Sequence, residues 1–272
     1  MTKPPVLGLA LGGGAAKGWA QLGVIEVLEE AGIRPDLIVG TSIGAVGGAC
    51  YAAGKRAELS ELARKVSWFD VLQLADPTFF ATGLFKGERF MRELGSLLGD
   101  ARFEDLDIRL GVTAVDLVSN QLLVLSEGSV IEAIRASIAI PGLFTPVQRD
   151  GAILVDGGIK SIVPVGSCRE MGAAFVIAVD VTGDYENARN AAGLSNDPNA
   201  KPKMAGVARA AFAMVVKEFA RNQLLRDPPD LVIRPPIDAI PAYDFTKAET
   251  LERIGAAAAR QALPDIQTAL AA

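Results

Sequence analysis

The chain alternates short apolar runs with longer stretches whose apolar residues recur at helical spacing, and glycine stands at most of the junctions. Val6 to Leu11 is continuously apolar and stops at Gly12-Gly13-Gly14. From Ala16 to Ala31 the residues Leu22, Ile25, Val27 and Leu28 fall at helical spacing. That pattern predicts a strand, a glycine turn and a helix. Gly32 ends the helix as a cap glycine does, Asp36 to Gly40 is the next strand, and a helix runs from beyond Ser42 to Ala53. Ile108 to Leu117 and Gln121 to Leu125 read as paired strands around Ser119-Asn120, and Val130 to Ile138 returns to helical spacing. Ala152 to Val155, Ala173 to Val181 and Asp230 to Ile233 are further strands, with Met204 to Leu225 and Thr246 to Leu263 as closing helices. Repeated alternation of this kind predicts an α/β fold with a mostly parallel sheet between helices.

Two stretches break the alternation. Thr182 to Lys203 is rich in Asn, Gly, Pro and charge, which predicts a mobile polar loop over about 182–203. Trp68 to Phe90 gathers Trp68, Phe69, Phe79, Phe80, Phe85 and Phe90. These aromatics either pack a helical cap onto the core or form an apolar lid that meets lipid. No Pro/Ser-rich linker divides the 272 residues, so residues 1–272 are expected to form one domain.

Composition removes several function classes. Half the residues are hydrophobic and 22% are charged, as in a sheet buried on both faces. Net charge is −5 with no cluster of Lys and Arg, so nucleic acid is not an expected partner. Cys50 and Cys168 are too few for a disulfide framework and lack CxxC spacing, which suits a reducing, cytoplasmic setting. The apolar run near the N-terminus is too short for a signal peptide. Leu37 to Gly54 is uncharged, but its glycines, Thr41 and Ser42 fit a strand, tight turn and buried helix better than a membrane span.

The chemistry starts from an absence: the chain contains no histidine, yet it carries Gly40-Thr41-Ser42-Ile43-Gly44, a GxSxG pentapeptide between a strand and a helix. In that context Gly40 and Gly44 relieve a strained turn that presents a nucleophilic serine. A serine hydroxyl needs a positioned base, which here must be Asp, Glu or Lys. Without histidine or an acidic cluster at loop spacing, neither a metal nor another cofactor is expected. Gly12-Gly13-Gly14-Ala15-Ala16-Lys17-Gly18 fails both as a dinucleotide fingerprint and as a phosphate loop. The second strand lacks the acidic residue of the former, and Lys17 precedes Gly18 where the latter needs Gly-Lys-Ser/Thr. It reads instead as an oxyanion hole of backbone N–H groups, each worth about 3 kcal/mol in a transition state. Lys17 either reinforces that anion site or is a solvated helix residue. Asp156, in Asp156-Gly157-Gly158 at the end of a strand, is the candidate base. At its reference pKa of about 3.9 it would be a poorly matched one.

Glycine loop, GxSxG elbow and Asp-Gly-Gly motif, in this order, resemble the bacterial patatin-like phospholipases. The segment Arg135-Ala136-Ser137-Ile138-Ala139-Ile140-Pro141-Gly142-Leu143-Phe144 adds to the likeness. The resemblance implies a three-layer α/β/α fold and a serine acyl hydrolase that cleaves lipid esters through an acyl-enzyme. Ser42 would be the nucleophile, Asp156 the base, and the backbone of Gly13, Gly14 and Ala15 the oxyanion hole. It also implies a lipid ester substrate and transient contact with a membrane surface. Ala15 replaces a glycine common in the family, Gln21 a histidine, and Ser161 an asparagine. The rival reading is a non-catalytic regulatory or acyl-binding protein that keeps the pocket. Oligomeric state and the choice between hydrolysis and acyl transfer stay open.

Overall fold

A computed structural model describes residues 5–66, 88–183 and 204–271. Apart from 182–183 and 88–90, the expected polar loop and aromatic stretch lie outside them. The strands are β1 (Leu7–Leu11), β2 (Leu37–Thr41), β3 (Arg109–Asp116), β4 (Gln121–Leu125), β5 (Val147–Arg149), β6 (Ala152–Asp156), β7 (Phe175–Val179) and β8 (Leu231–Ile233). The helices are α1 (Trp19–Glu30), α2 (Ile43–Ala52), α3 (Arg56–Arg64), α4 (Glu88–Leu98), α5 (Val130–Ser137), α6 (Val165–Glu170), α7 (Met204–Arg226) and α8 (Ala248–Ala271).

One sheet holds all these strands. Its body runs β3-β2-β1-β7-β8 and is parallel throughout, while β4, β5 and β6 extend it antiparallel. Leu9, Leu11, Ile38 and Val112 face a core shared with α1, α2, α5 and α8. Ala10, Val39, Val176 and Ala178 face a second core under α6 and α7. Burial on both faces explains why these strands read as apolar runs rather than as alternating ones. α8 is seated directly on α1: a Cβ on Gly23 would fall 1.9 Å from the Glu252 carbonyl oxygen, and one on Gly255 1.8 Å from that of Ala20.

The residue pairing along β3 sets up the site. β4 takes one edge of β3. On the other edge β2 pairs in parallel up to Thr41↔Thr113, and β6 takes over in the opposite direction from Ala114↔Asp156. The C-terminal ends of β2 and β6 therefore meet head-on, bringing residues 42 and 156 together.

Some elements differ from the expectation. The first helix opens with a 3-10 turn over Ala15–Gly18. α8 continues past Pro264, held by buried Ile266 and partly buried Leu270. The pattern reading also passed over α3, α6 and three-residue β5; six-residue α6 and β5 are too short to show a period.

Candidate active site

Ser42 joins β2 to α2 with φ 55° and ψ −122°, a left-handed conformation that β-carbon-bearing residues avoid. The flanking glycines are required by close approach. A Cβ on Gly40 would lie 2.5 Å from the backbone of Ala45, and one on Gly44 2.2 Å from the Leu11 carbonyl oxygen. The Ser42 carbonyl accepts from Ala45 N–H at 2.9 Å, starting α2, and its own N–H donates to Ser137 Oγ at 2.9 Å.

Asp156 ends β6 and is buried, 6% exposed. Its backbone N–H donates to the Ala139 carbonyl at 3.0 Å, and its Oδ1 accepts from Gly158 N–H at 2.7 Å. Burial pushes its carboxyl up to about 6, against the smaller opposing effects of its hydrogen bonds with the Ser42 side chain and Gly158 N–H. That is nearer to neutral pH than the reference value of about 3.9. Gly157 is fixed by space, since a Cβ there would sit 2.1 Å from Thr113 Oγ1.

The glycine loop lies against the elbow. A Cβ on Gly13 would be 3.6 Å from that of Ser42, and one on Gly18 would overlap Ile43. Gly12 N–H donates to Val179 O at 3.1 Å and Gly13 N–H to Ile162 O at 2.9 Å. Gly13 N–H is thus spent on holding the loop, which corrects its assignment as an oxyanion donor. The N–H groups of Gly14 and Ala15 have no acceptor among the described residues. Ala15, at φ 48°, occupies a conformation better suited to glycine. Gln21 Nε2 supports the loop from beneath by donating to Gly12 O at 2.6 Å. Lys17 is not a solvated helix residue: it is buried, desolvation lowers its pKa, and Asp238 opposes that shift.

Residues that pattern alone did not reveal tie these parts together. Gln223 of α7 donates through Nε2 to Ser161 Oγ at 2.8 Å, while its Oε1 accepts from the N–H groups of Ile162 (3.0 Å) and Val163 (3.3 Å). The loop it holds offers Ile162 O to Gly13 and Ser161 O to the Thr41 hydroxyl at 2.8 Å. Thr113 Oγ1 lies 2.7 Å from Thr41 Oγ1. The available signal for Gln223 was a buried-stripe position among Val216, Ala220 and Leu224. A cavity of about 500 Å³ lies between α5 and the β5–β6 edge of the sheet, lined by Met91, Leu125, Ala136, Val147 and Leu154 together with Glu132, Arg135, Arg149 and Asp150; neither Ser42 nor Asp156 is in its wall. Leu154 is one alternate position from Asp156 on the same face of β6, and Ala136 precedes Ser137.

Residues 9–169 match the family model described as patatin-like phospholipase. The chain belongs to that family. An uncharacterised NTE family protein of Mycobacterium tuberculosis is 37% identical over 179 residues, 66% of this chain and 50% of its own length. The lysophospholipase NTE1 of Saccharomyces cerevisiae is 32% identical over 92% of this chain but only 16% of its own. Human patatin-like phospholipase domain-containing protein 6 is 31% identical over 92% of the chain and 20% of its own. The chain thus spans half or less of these relatives. The crystal structure of VipD from Legionella pneumophila shares the fold, with a TM-score of 0.59 and 15% identity, over 97% of this chain and 67% of that one. The patatin-like fold expected from the motifs is the one observed.

Proposed function

We propose that this patatin-like chain is a serine acyl hydrolase of lipid carboxylic esters, acting through a Ser42–Asp156 dyad. The observation that carries the reading is the head-on meeting of β2 and β6, which sets a strained Ser42 against a buried Asp156 carboxyl. Ser42 Oγ attacks the ester carbonyl and its proton passes to Asp156. The tetrahedral oxyanion takes hydrogen bonds from the N–H groups of Gly14 and Ala15. Collapse breaks the ester bond, Asp156 returns the proton to the departing alkoxide, and an acyl-enzyme stays on Ser42. Asp156 then takes a proton from water, whose oxygen attacks the acyl carbonyl, and the fatty acid leaves as Ser42 regains its proton. The yeast relative's name supports a phospholipid or lysophospholipid substrate. Two buried, unpaired cysteines support a cytoplasmic setting.

Intact-mass spectrometry after fluorophosphonate treatment tests the reading on the wild type, Ser42→Ala and Asp156→Asn. One adduct on the wild type and none on either variant is the expected result. An unlabelled but folded wild type would favour an acyl-binding protein without catalysis. Labelling of Asp156→Asn at the wild-type rate would remove Asp156 as the base.

A further inference from the structure

Under the proposed mechanism the N–H groups of Gly14 and Ala15 must hold a fixed aim, yet Gly14 ends a run of three glycines and Ala15 follows it. Glycine loses more conformational freedom on folding than any other residue, so such a run holds no direction by itself. The direction comes from outside the run. Gly12 O accepts from Gln21 Nε2 at 2.6 Å, and Gly13 N–H donates to Ile162 O at 2.9 Å. That carbonyl and that N–H belong to one planar, trans peptide unit, so the two bonds together fix its plane. Two peptides on, Lys17 N–H donates to Gly14 O at 3.2 Å, which turns the Ala15 N–H of the same unit the opposite way. The peptide that carries Gly14 N–H is strung between these two gripped units.

The grip at Gly12 is made by a side chain that is costly to place there. Gln21 lies in the first turn of α1, where side chains lean back toward the helix N-terminus, so it reaches a loop residue nine positions earlier. It is fully buried, and its Oε1 has no hydrogen-bond partner among the described residues. That oxygen faces α2, where a Cβ on Gly47 would lie 3.9 Å from it. Leaving a buried acceptor unmet is destabilising. Turning the carboxamide over would set Oε1 against Gly12 O, two acceptors face to face, so Nε2 alone fits that position. Leucine or methionine would avoid the unmet oxygen but leave Gly12 O unheld. The donor at Gly12 is therefore what the buried amide contributes, at the expense of its other half.

We propose that Gln21 is a positioning residue for the oxyanion hole: by fixing the Gly12–Gly13 peptide it aims the N–H groups of Gly14 and Ala15 at the oxygen that becomes negative over Ser42. This rests on the acyl-hydrolase reading and adds what holds its donors in place. Gln21→Met keeps the length of the side chain without a donor, and Gln21→His keeps an N–H. Active sites are to be counted in each protein by fluorophosphonate labelling carried to completion. On a water-soluble ester, kcat per labelled site is expected to fall about tenfold to a hundredfold in Gln21→Met, with KM nearly unchanged. The inhibition constant of a trifluoromethyl ketone should rise by the same factor, because Ser42 Oγ adds to its carbonyl carbon to give a tetrahedral oxyanion that needs the same two N–H groups. Gln21→His should recover most of both losses. A Gln21→Met protein that melts lower but keeps the wild-type kcat per site and inhibition constant overturns the proposal, since Gln21 would then be a structural support only. Equal losses in Gln21→Met and Gln21→His also overturn it, because shape rather than the donor would be decisive. A folded wild type that takes no label removes the hydrolase reading, and the positioning role with it.

Discussion

Ser42 N–H and Ser137 Oγ are joined by a 2.9 Å hydrogen bond, so the amide of the proposed nucleophile is committed to holding the elbow. Ser137 is fully buried, and removing its hydroxyl leaves that N–H without an acceptor. Ser137→Ala is expected to destabilise the fold by about 1–3 kcal/mol. It should also lower kcat while leaving KM nearly unchanged, with Ser137→Thr restoring both. Thermal melts and steady-state kinetics on a soluble ester check this; wild-type kcat in the alanine variant would deny Ser137 any positioning role.

Under the proposed mechanism, the raised carboxyl of Asp156 would set a pH limit on catalysis. A base must be ionised, and with its pKa at about 6 Asp156 loses that form as pH falls below this value. The kcat/KM profile should bend near pH 6 and drop about tenfold per unit below the bend. A profile flat down to pH 4.5 would exclude Asp156 as the titrating base.

Stability should respond in the opposite sense. A carboxyl whose pKa rises from 3.8 to about 6 on folding favours the folded state when protonated. That contribution is complete below about pH 3.8 and lost once pH passes about 6. Holding Asp156 ionised at neutral pH therefore costs about 3 kcal/mol of stability, at 1.36 kcal/mol per unit. Asp156→Asn is expected to melt higher than the wild type at pH 7.5, with the difference shrinking toward pH 4. Equal melting temperatures at pH 7.5 would contradict the burial cost assigned to the carboxylate.

Gln223 acts on the site from another layer of the fold. Gln223→Ala would leave the N–H groups of Ile162 and Val163 without their acceptor, costing about 3 kcal/mol in stability. Because Ile162 O anchors Gly13, fluorophosphonate labelling should slow as well. Gln223→Glu keeps the acceptor and should fall between the two. Labelling at the wild-type rate in a folded Gln223→Ala would show that the clamp is purely structural.

Legibility in the sequence followed the range of the interactions involved. The Ser42 elbow is set by Gly40 and Gly44 within five residues, and the β3–β4 turn by Asn120 at φ 57°, so both could be read locally. The expected separation of two nearly continuous apolar faces was likewise written in β1 and β2. Gly13 could not be excluded as a donor, because its acceptor Ile162 lies far along the chain. The pKa of Asp156 comes from burial beneath α5 and the loop after Ser137, which no local pattern encodes. Lys17 had charge in the sequence but acquired its burial, and its neighbour Asp238, only through folding.

Asp116 gives the head-on arrangement of β2 and β6 a further property: its dependence on strand alignment. β6 meets β3 over Asp156, Val155 and Leu154 only, and a slip of one residue would turn the Asp156 side chain to the opposite face of the sheet. Asp116 guards against this slip by accepting Ile153 N–H at 3.1 Å while also bonding Val118 N–H and the Ser119 hydroxyl. Chiefly the Ser119 hydroxyl, with those backbone N–H groups, holds its carboxyl down at about 2. Acid therefore neutralises the Asp156 carboxylate well before it releases the Asp116 pin. Under the proposed mechanism the site would fall silent with its strands still aligned, and at neutral pH the loss of one proton from Asp156 would restore the Ser42–Asp156 pair.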